Sequence, residues 1–254
     1  MSARVAAFRS ARRIAATAAA ALRTHRALQA LGGVAAAEDE LPARAAALQQ
    51  LCLRLLEIHG LELEVSGRLP RGPVLLASNH VSWLDPLVVA SLVPCAPISK
   101  LDVAGWPGIG RLVGGLGVLF VRRGDPGSGA RVLRGAARAL SLGLPVLNFP
   151  EGTTTTGENV LPFRPGLFGL ARRAGVPVVP IALRCEPAEL SWTGDQTFLP
   201  HYLRLAGAER CRVTVRFGQE LSPAAHPSAD GLARAARREV TRWLGGSDVS
   251  TVGA

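Results

Sequence analysis

Apolar positions follow two different periods along this chain, and the changes of period mark its elements. Residues 61–66 alternate strictly, Leu61, Leu63 and Val65 against Glu62, Glu64 and Ser66, which predicts a half-exposed strand. Residues 211–217 alternate in the same way, with Val213, Val215 and Phe217 on one face. The continuous apolar runs at 73–78, 116–121 and 144–149 read as short buried strands. Elsewhere the step lengthens to three and four. Leu48, Leu51, Cys52, Leu55 and Ile58 predict a helix over 41–58, with Pro42 in its first turn and Gly60 at its end. Further helices are expected over 85–92, 129–142 and 228–244, and one opened by Phe163-Arg164-Pro165-Gly166 and closed by Gly175. Residues 176–183 form a strand interrupted by prolines. Proline cannot donate to a ladder, so this strand belongs at a sheet edge, or its prolines fall at its start. Two stretches read as irregular: 95–115, rich in Gly and Pro and containing Trp106-Pro107, and the polar insertion 186–209, containing Trp192-Thr193-Gly194-Asp195. Residues 246–254 read as a frayed tail. Strands alternating with helices predict an α/β fold with a mixed, largely parallel sheet flanked by helices. That domain spans 60–245 and stands behind an N-terminal helical pair in 1–59.

Charge changes the picture first at the N-terminus. Residues 1–37 hold six arginines (Arg4, Arg9, Arg12, Arg13, Arg23, Arg26) and no acid. The longest uncharged apolar run, 14–22, is far short of the ~20 residues of a membrane span, so no transmembrane helix is expected. On a helical wheel the arginines fill about half the circumference, with Val5, Phe8 and Leu22 on their side. This poorly amphipathic helix suits an anionic membrane surface, or solvent. The whole chain carries a formal charge of +10, with Lys100 its only lysine. Aromatics are 5% and no basic stretch is interleaved with them, so the stacking platform of a nucleic-acid binder is missing. A phosphorylated substrate or an anionic membrane surface fits the charge better. Cys52, Cys95, Cys185 and Cys211 have neither disulfide-framework nor zinc-site spacing. Their scatter fits a reducing compartment, either cytosol or the cytoplasmic face of a membrane.

The candidate chemistry lies where strands end. Asn79-His80-Val81-Ser82-Trp83-Leu84-Asp85-Pro86 follows the first buried strand. A helix would set His80 and Asp85 roughly 140° apart, so a contact between them requires a non-helical turn. Pro86 favours one by disfavouring the α conformation at Asp85, which reads as the cap of the next helix. Arg122-Arg123 follows the second buried strand, and Glu151-Gly152-Thr153 the third. If these strands run parallel, the three clusters meet at one sheet edge, where ligands of open α/β sheets bind. No Gly-x-Ser-x-Gly elbow occurs and no cysteine has a motif around it. A His–Asp pair without its own nucleophile suits activation of a substrate hydroxyl, with His80 as base and Asp85 holding the ring tautomer. The arginines suit a phosphate.

These residues match a known family. Asn79-His80-x-x-x-x-Asp85, the HX4D motif, resembles the first signature block of the glycerolipid (PlsC-like) acyltransferases. Gly117-Val-Leu-Phe120-Val-Arg-Arg123 resembles the second, Phe149-Pro-Glu-Gly-Thr153 the third and Val176-Pro-Val-Val-Pro-Ile181 the fourth. Lys100 and Trp106-Pro107 resemble the segment between the first two blocks, and Phe163-Arg164-x-Gly166 the one after the third. The resemblance implies a peripheral enzyme of phospholipid biosynthesis at the cytoplasmic face of the membrane. Its reaction would be acyl transfer from acyl-CoA or acyl carrier protein to a lysolipid hydroxyl, foremost 1-acyl-sn-glycerol-3-phosphate. His80 and Asp85 would be catalytic, while Lys100, Arg123, Glu151, Gly152, Thr153 and Arg164 would bind substrate. No metal or other cofactor is implied, and no nucleic-acid partner. One departure bears on the acceptor. Phosphatidate-forming members usually carry Arg-Ser after the third block, and here Thr154-Thr155 stand there; the Thr-rich turn and Trp192-Thr-Gly-Asp195 resemble members that acylate other lysolipids, including lyso-ornithine lipid and lysophosphatidylcholine. That removes one expected phosphate ligand, for which Arg164 is the candidate substitute. A non-catalytic peripheral protein on the same scaffold and a hydrolase using water remain as other readings.

Overall fold

The chain is described from a computed structural model over residues 3–30, 32, 40–106, 108–192 and 197–245. Pro107, Thr193-Gly194-Asp195 and the expected tail lie outside these. Two helices lead, α1 (Ala3–Ala30) and α2 (Leu41–His59), and Gly60 closes α2 with φ +65°. They are followed by β1 (Leu61–Ser66), β2 (Leu75–Ser78), α3 (Asp85–Leu92), β3 (Ala96–Lys100), α4 (Ile109–Gly115), β4 (Leu119–Val121) and α5 (Pro126–Ser141). Then come β5 (Val146–Asn148), α6 (Gly166–Ala174), β6 (Val178–Glu186), α7 (Phe198–Gly207), β7 (Cys211–Phe217) and α8 (Ala229–Leu244). One seven-stranded sheet takes the order β1-β7-β6-β2-β5-β3-β4. β2 to β6 run parallel to one another, while β7 is antiparallel to β6 and carries β1 parallel to itself.

The period-two alternation of each central strand sends its side chains to two cores. Leu76, Leu147, Val179 and Ile181 pack with α1, α2 and α3. Leu75, Ala77, Val146 and Val178 pack with α5, α6 and α8. Leu48, Leu51, Cys52 and Leu56 of α2 belong to the first of these cores, so the leading helices share their packing with the sheet.

Three sequence expectations are decided by the fold. First, of the two places expected for the prolines of residues 176–183 the second holds: β6 lies between β7 and β2, and its prolines fall at its start, Pro177 just before it and Pro180 third in it. Gly218 N donates to Pro180 O, so the nitrogen side of Pro180 also faces β7. It lies between the Val178–Leu221 bridge and the Ile181–Phe217 pair, and with no N–H it makes only one half of the exchange with Gly218, so the regular ladder begins at Ile181. Second, residues 95–115 contain β3 and α4. Ala96 N points to β5, so the nitrogen side of Pro97 faces β4, whose pairing starts only at Ile98. Third, the insertion at 186–209 contains α7, with Pro200 in the first turn, where the N–H would have no intrahelical partner.

The arginines of α1 divide into two kinds. Arg12, Arg23 and Arg26 are exposed, as are Phe8 (73%) and Leu22 (50%). Arg13 is buried and donates to Leu205 O, Ala206 O and Ala208 O at 3.4, 3.3 and 2.6 Å. Leu205 O also accepts from Ala208 N, and all three carbonyls lie at the end of α7, where the positive charge suits the helix dipole.

Candidate active site

β2 delivers the loop that carries His80. Beyond the last backbone pair with β6, Asn79 continues the ladder with its side chain: Nδ2 donates to Leu183 O at 2.9 Å and Oδ1 accepts from Leu183 N at 2.8 Å. The strand end is therefore fixed before the loop departs. Residues 81–84 turn without forming helix, and α3 begins at Asp85 itself. Asp85 is not the cap expected from sequence. Leu84 holds that position, and the carboxylate turns back on the loop instead of capping the helix.

Asp85 Oδ2 accepts three bonds, from His80 Nδ1 at 2.7 Å, Val81 N at 2.7 Å and Ser82 N at 2.8 Å. A carboxylate can only accept, so Nδ1 carries the ring proton and Nε2 keeps its lone pair. The imidazole stacks on Phe149 with centroids 4.2 Å apart, which sets its plane. Asp85 is buried beneath it, while the His80 side chain is 18% exposed and lines a cavity of about 1820 Å³.

The parallel strands bring the expected clusters together. Lys100, Arg123, Gly152, Thr153 and Arg164 line the same cavity as His80, with Arg122 beside them. Gly152 has φ +74°, and a Cβ there would come within 2.9 Å of Arg164 Cζ. The third-block turn therefore needs glycine twice over, for its backbone angle and to let the Arg164 guanidinium lie against it. Burial pushes the Arg123 pKa down, and the nearby Arg164 charge pushes it further the same way. Two guanidiniums crowded at one wall favour an anion between them. Lys100 is ion-paired with Asp102, whose carboxyl is held below its ordinary range by a hydrogen bond from Lys100.

Glu151 stands behind this wall. It is buried, with Oε1 accepting from His80 N at 2.7 Å and Oε2 from Leu161 N at 2.9 Å. Burial pushes its pKa up, and the two N–H bonds pull the other way. Its carboxylate thus holds the His80 loop against the 151–161 segment. Thr155 N adds a bond to His80 O at 2.8 Å.

Another part of the cavity is apolar, lined by Ala18, Ala21 and Leu22 of α1, Leu51 and Leu55 of α2, and Phe198 of α7. Trp83 also lines it and donates from Nε1 to His201 Nδ1 at 2.8 Å. His201 was not singled out in the sequence, where a lone histidine in an irregular stretch gives no chemical signal.

The family model described as Acyltransferase matches residues 60–184. The lyso-ornithine lipid O-acyltransferase of Pseudomonas aeruginosa is 35% identical over 218 residues, covering 84% of each chain. The 1-acyl-sn-glycerol-3-phosphate acyltransferase of Neisseria gonorrhoeae is 35% identical over 142 residues, covering 55% of this chain and 54% of that one. The crystal structure of the 1-acyl-sn-glycerophosphate acyltransferase PlsC from Thermotoga maritima superposes with a TM-score of 0.62 at 21% identity. It covers 83% of this chain and 81% of its own, a likeness of fold.

Proposed function

The chain belongs to the acyltransferase family, and from that premise we propose that it moves a fatty acyl group from an acyl-CoA or acyl carrier protein thioester to the free hydroxyl of a lysolipid. The observation that carries this reading is His80. Its Nδ1–H is committed to Asp85, its Nε2 is open on the cavity side, and no serine or cysteine bonds to it among the described residues. A base without a protein nucleophile acts on a hydroxyl brought by the substrate.

In this reading Nε2 takes the proton of the lysolipid hydroxyl as its oxygen attacks the thioester carbonyl. The C–O bond forms, the tetrahedral intermediate collapses, the C–S bond breaks, and the imidazolium returns the proton to the leaving thiolate. Asp85 stabilises the imidazolium while it exists. Arg123 and Arg164, with Gly152, Thr153 and Lys100, hold the acceptor headgroup. Glu151 orders the base loop. The apolar part of the cavity suits an acyl chain.

Two acceptors are in view. The match over 84% of both chains to a lyso-ornithine lipid enzyme favours that lipid, and so does Thr154-Thr155 after the third block. The crowded guanidiniums of Arg123 and Arg164 favour 1-acyl-sn-glycerol-3-phosphate. A panel of lysolipids incubated with purified protein and acyl-CoA or acyl carrier protein thioester decides between them. Acylation of one lysolipid at least about tenfold faster than the others is expected, since the headgroup anion is read by paired guanidiniums. Free fatty acid as sole product, with no acylated lipid, would replace transfer by hydrolysis.

We place the enzyme on the cytoplasmic face of a membrane. No helix among the described residues is long and apolar enough to cross a bilayer. The outer face of α1 offers Phe8 and Leu22 beside Arg12, Arg23 and Arg26, a pairing suited to anionic headgroups. Removing α1 altogether would uncap α7 through Arg13, so point changes are the cleaner test. Replacing Arg12, Arg23 and Arg26 together by glutamate is expected to weaken binding to phosphatidylglycerol vesicles about 100-fold or more at low salt. Unchanged vesicle flotation would leave this face without a lipid role.

A further inference from the structure

The described part of the connection between β6 and β7 gives Phe198 to the cavity wall and is assigned no part in the proton transfer above, yet it holds the His80 loop at several points. Ser82 Oγ donates to Leu190 O at 3.0 Å, and Trp192 N donates to Val81 O at 2.7 Å. Trp83 Nε1 donates to His201 Nδ1 at 2.8 Å. Because Nδ1 accepts, Nε2 carries the ring proton, and it donates to Leu190 O at 3.0 Å. His201 is fully buried on α7, with both ring nitrogens engaged. Burial pushes its pKa down, which agrees with a neutral ring. Leu190 O is thus shared by the Ser82 hydroxyl and the His201 imidazole, and Ser82 also donates its backbone N–H to Asp85.

Packing alone does not ask for this residue. On the same face of α7, Leu205 is buried without a polar side chain, and an apolar residue at 201 would fill the space. A buried imidazole is costly unless both nitrogens are bonded. Here one bond goes to the base loop and the other to the carbonyl that holds that loop. The indole it anchors lies three residues after His80 and forms part of the cavity wall, edge-on to Phe198 at 5.2 Å.

We propose that His201 is a positioning residue for acyl transfer: through Trp83 and Leu190 O it orients the 80–85 loop and so aims His80 Nε2 at the acceptor hydroxyl. This rests on His80 being the base of the reading above.

His201→Phe keeps an aromatic ring and deletes both bonds. It is expected to lower kcat about 10- to 100-fold with KM for the thioester changed less than about twofold, the signature of a misaimed group in a correctly bound complex. His201→Asn puts an acceptor near the place of Nδ1 and is expected to recover most of the lost rate, while His201→Gln, which reaches Leu190 O but not Trp83, recovers less. A wild-type kcat in His201→Phe overturns the proposal. So does a series in which rates follow melting temperature and not the Trp83 bond. If His201→Phe does not fold, Trp83→Phe takes its place. Adding His201→Gln to it should cost clearly less than His201→Gln costs beside Trp83, because the bond is already gone, and additive losses count against the coupling.

A second readout needs no acceptor. The rate at which diethyl pyrocarbonate carbethoxylates His80, followed by mass spectrometry, is expected to change about threefold or more in His201→Phe as the ring is released from its set orientation. An unchanged rate overturns the proposal even if the acceptor is found. Wild-type protein that acylates no lysolipid would instead defeat the functional reading, while the carbethoxylation comparison still judges His201.

Discussion

His80→Ala is expected to lower kcat by about 10³-fold or more while leaving KM for both substrates nearly unchanged, because a general base acts in the transition state and not in ground-state binding. The structural argument is one of subtraction. The nitrogen that faces the cavity belongs to His80, and no neighbouring serine, cysteine or second histidine bonds to it among the described residues. Removing the ring therefore removes the proton acceptor with no substitute in place. The fold should persist. Asp85 Oδ2 keeps its bonds from Val81 N and Ser82 N, so its charge stays partly satisfied. The lost bond and the lost stacking on Phe149 are expected to cost about 1–2 kcal/mol, or a few degrees in melting temperature. Steady-state kinetics with a melting curve on the same preparation checks both halves. Turnover within tenfold of wild type would remove His80 from the chemistry and reopen the reading of the chain as a non-catalytic protein on this scaffold.

The pair itself was legible because spacing and turn chemistry agree. A five-residue separation rules out a helical contact, and Pro86 favours the turn that permits one. The strands were legible for two reasons: alternation at 61–66 and 211–217 fixes the period, and the apolar runs elsewhere, including the one before His80, are too short for helices. What escaped was set by tertiary partners. β3 and α7 each contain a proline, Pro97 and Pro200, at a position where the absent N–H faces no acceptor, and only the neighbouring strand or the helix register shows that it is harmless. Phe198, His201, Tyr202 and Leu205 do recur at helical steps, so the period of α7 was present behind the proline. Arg13 looked like its five neighbours because nothing local says that α7 ends beside it. The resemblance assigns Glu151 to the headgroup, and what the sequence does not show is its backbone partners. In the fold its two oxygens face backbone N–H groups of His80 and Leu161, one of them 71 positions away in sequence.

Asp85 allows orientation and charge to be separated, because all three of its bonds fall on one oxygen. In Asp85→Asn the amide oxygen can occupy the position of Oδ2 and accept from Val81 N, Ser82 N and His80 Nδ1–H alike. The opposite flip would set an NH2 group against two backbone donors, so the loop itself selects the right orientation. The ring then keeps its tautomer, and only the negative charge is lost. Because that charge stabilises the imidazolium that forms in the transition state, kcat is expected to fall about 10- to 100-fold with the melting temperature nearly unchanged. Asp85→Ala is different in kind. It leaves Val81 N–H and Ser82 N–H buried and unbonded, at about 1–3 kcal/mol each, and frees the ring as well. Its kcat is expected to fall about 10³-fold or more, and its melting temperature by several degrees. The two variants measured side by side test the assignment from both directions. Wild-type kcat in Asp85→Asn would show that the carboxylate serves only to shape the loop. Equal loss of melting temperature in both would show that the amide does not take up the carboxylate's three bonds, and the charge would then have to be probed from the side of His80.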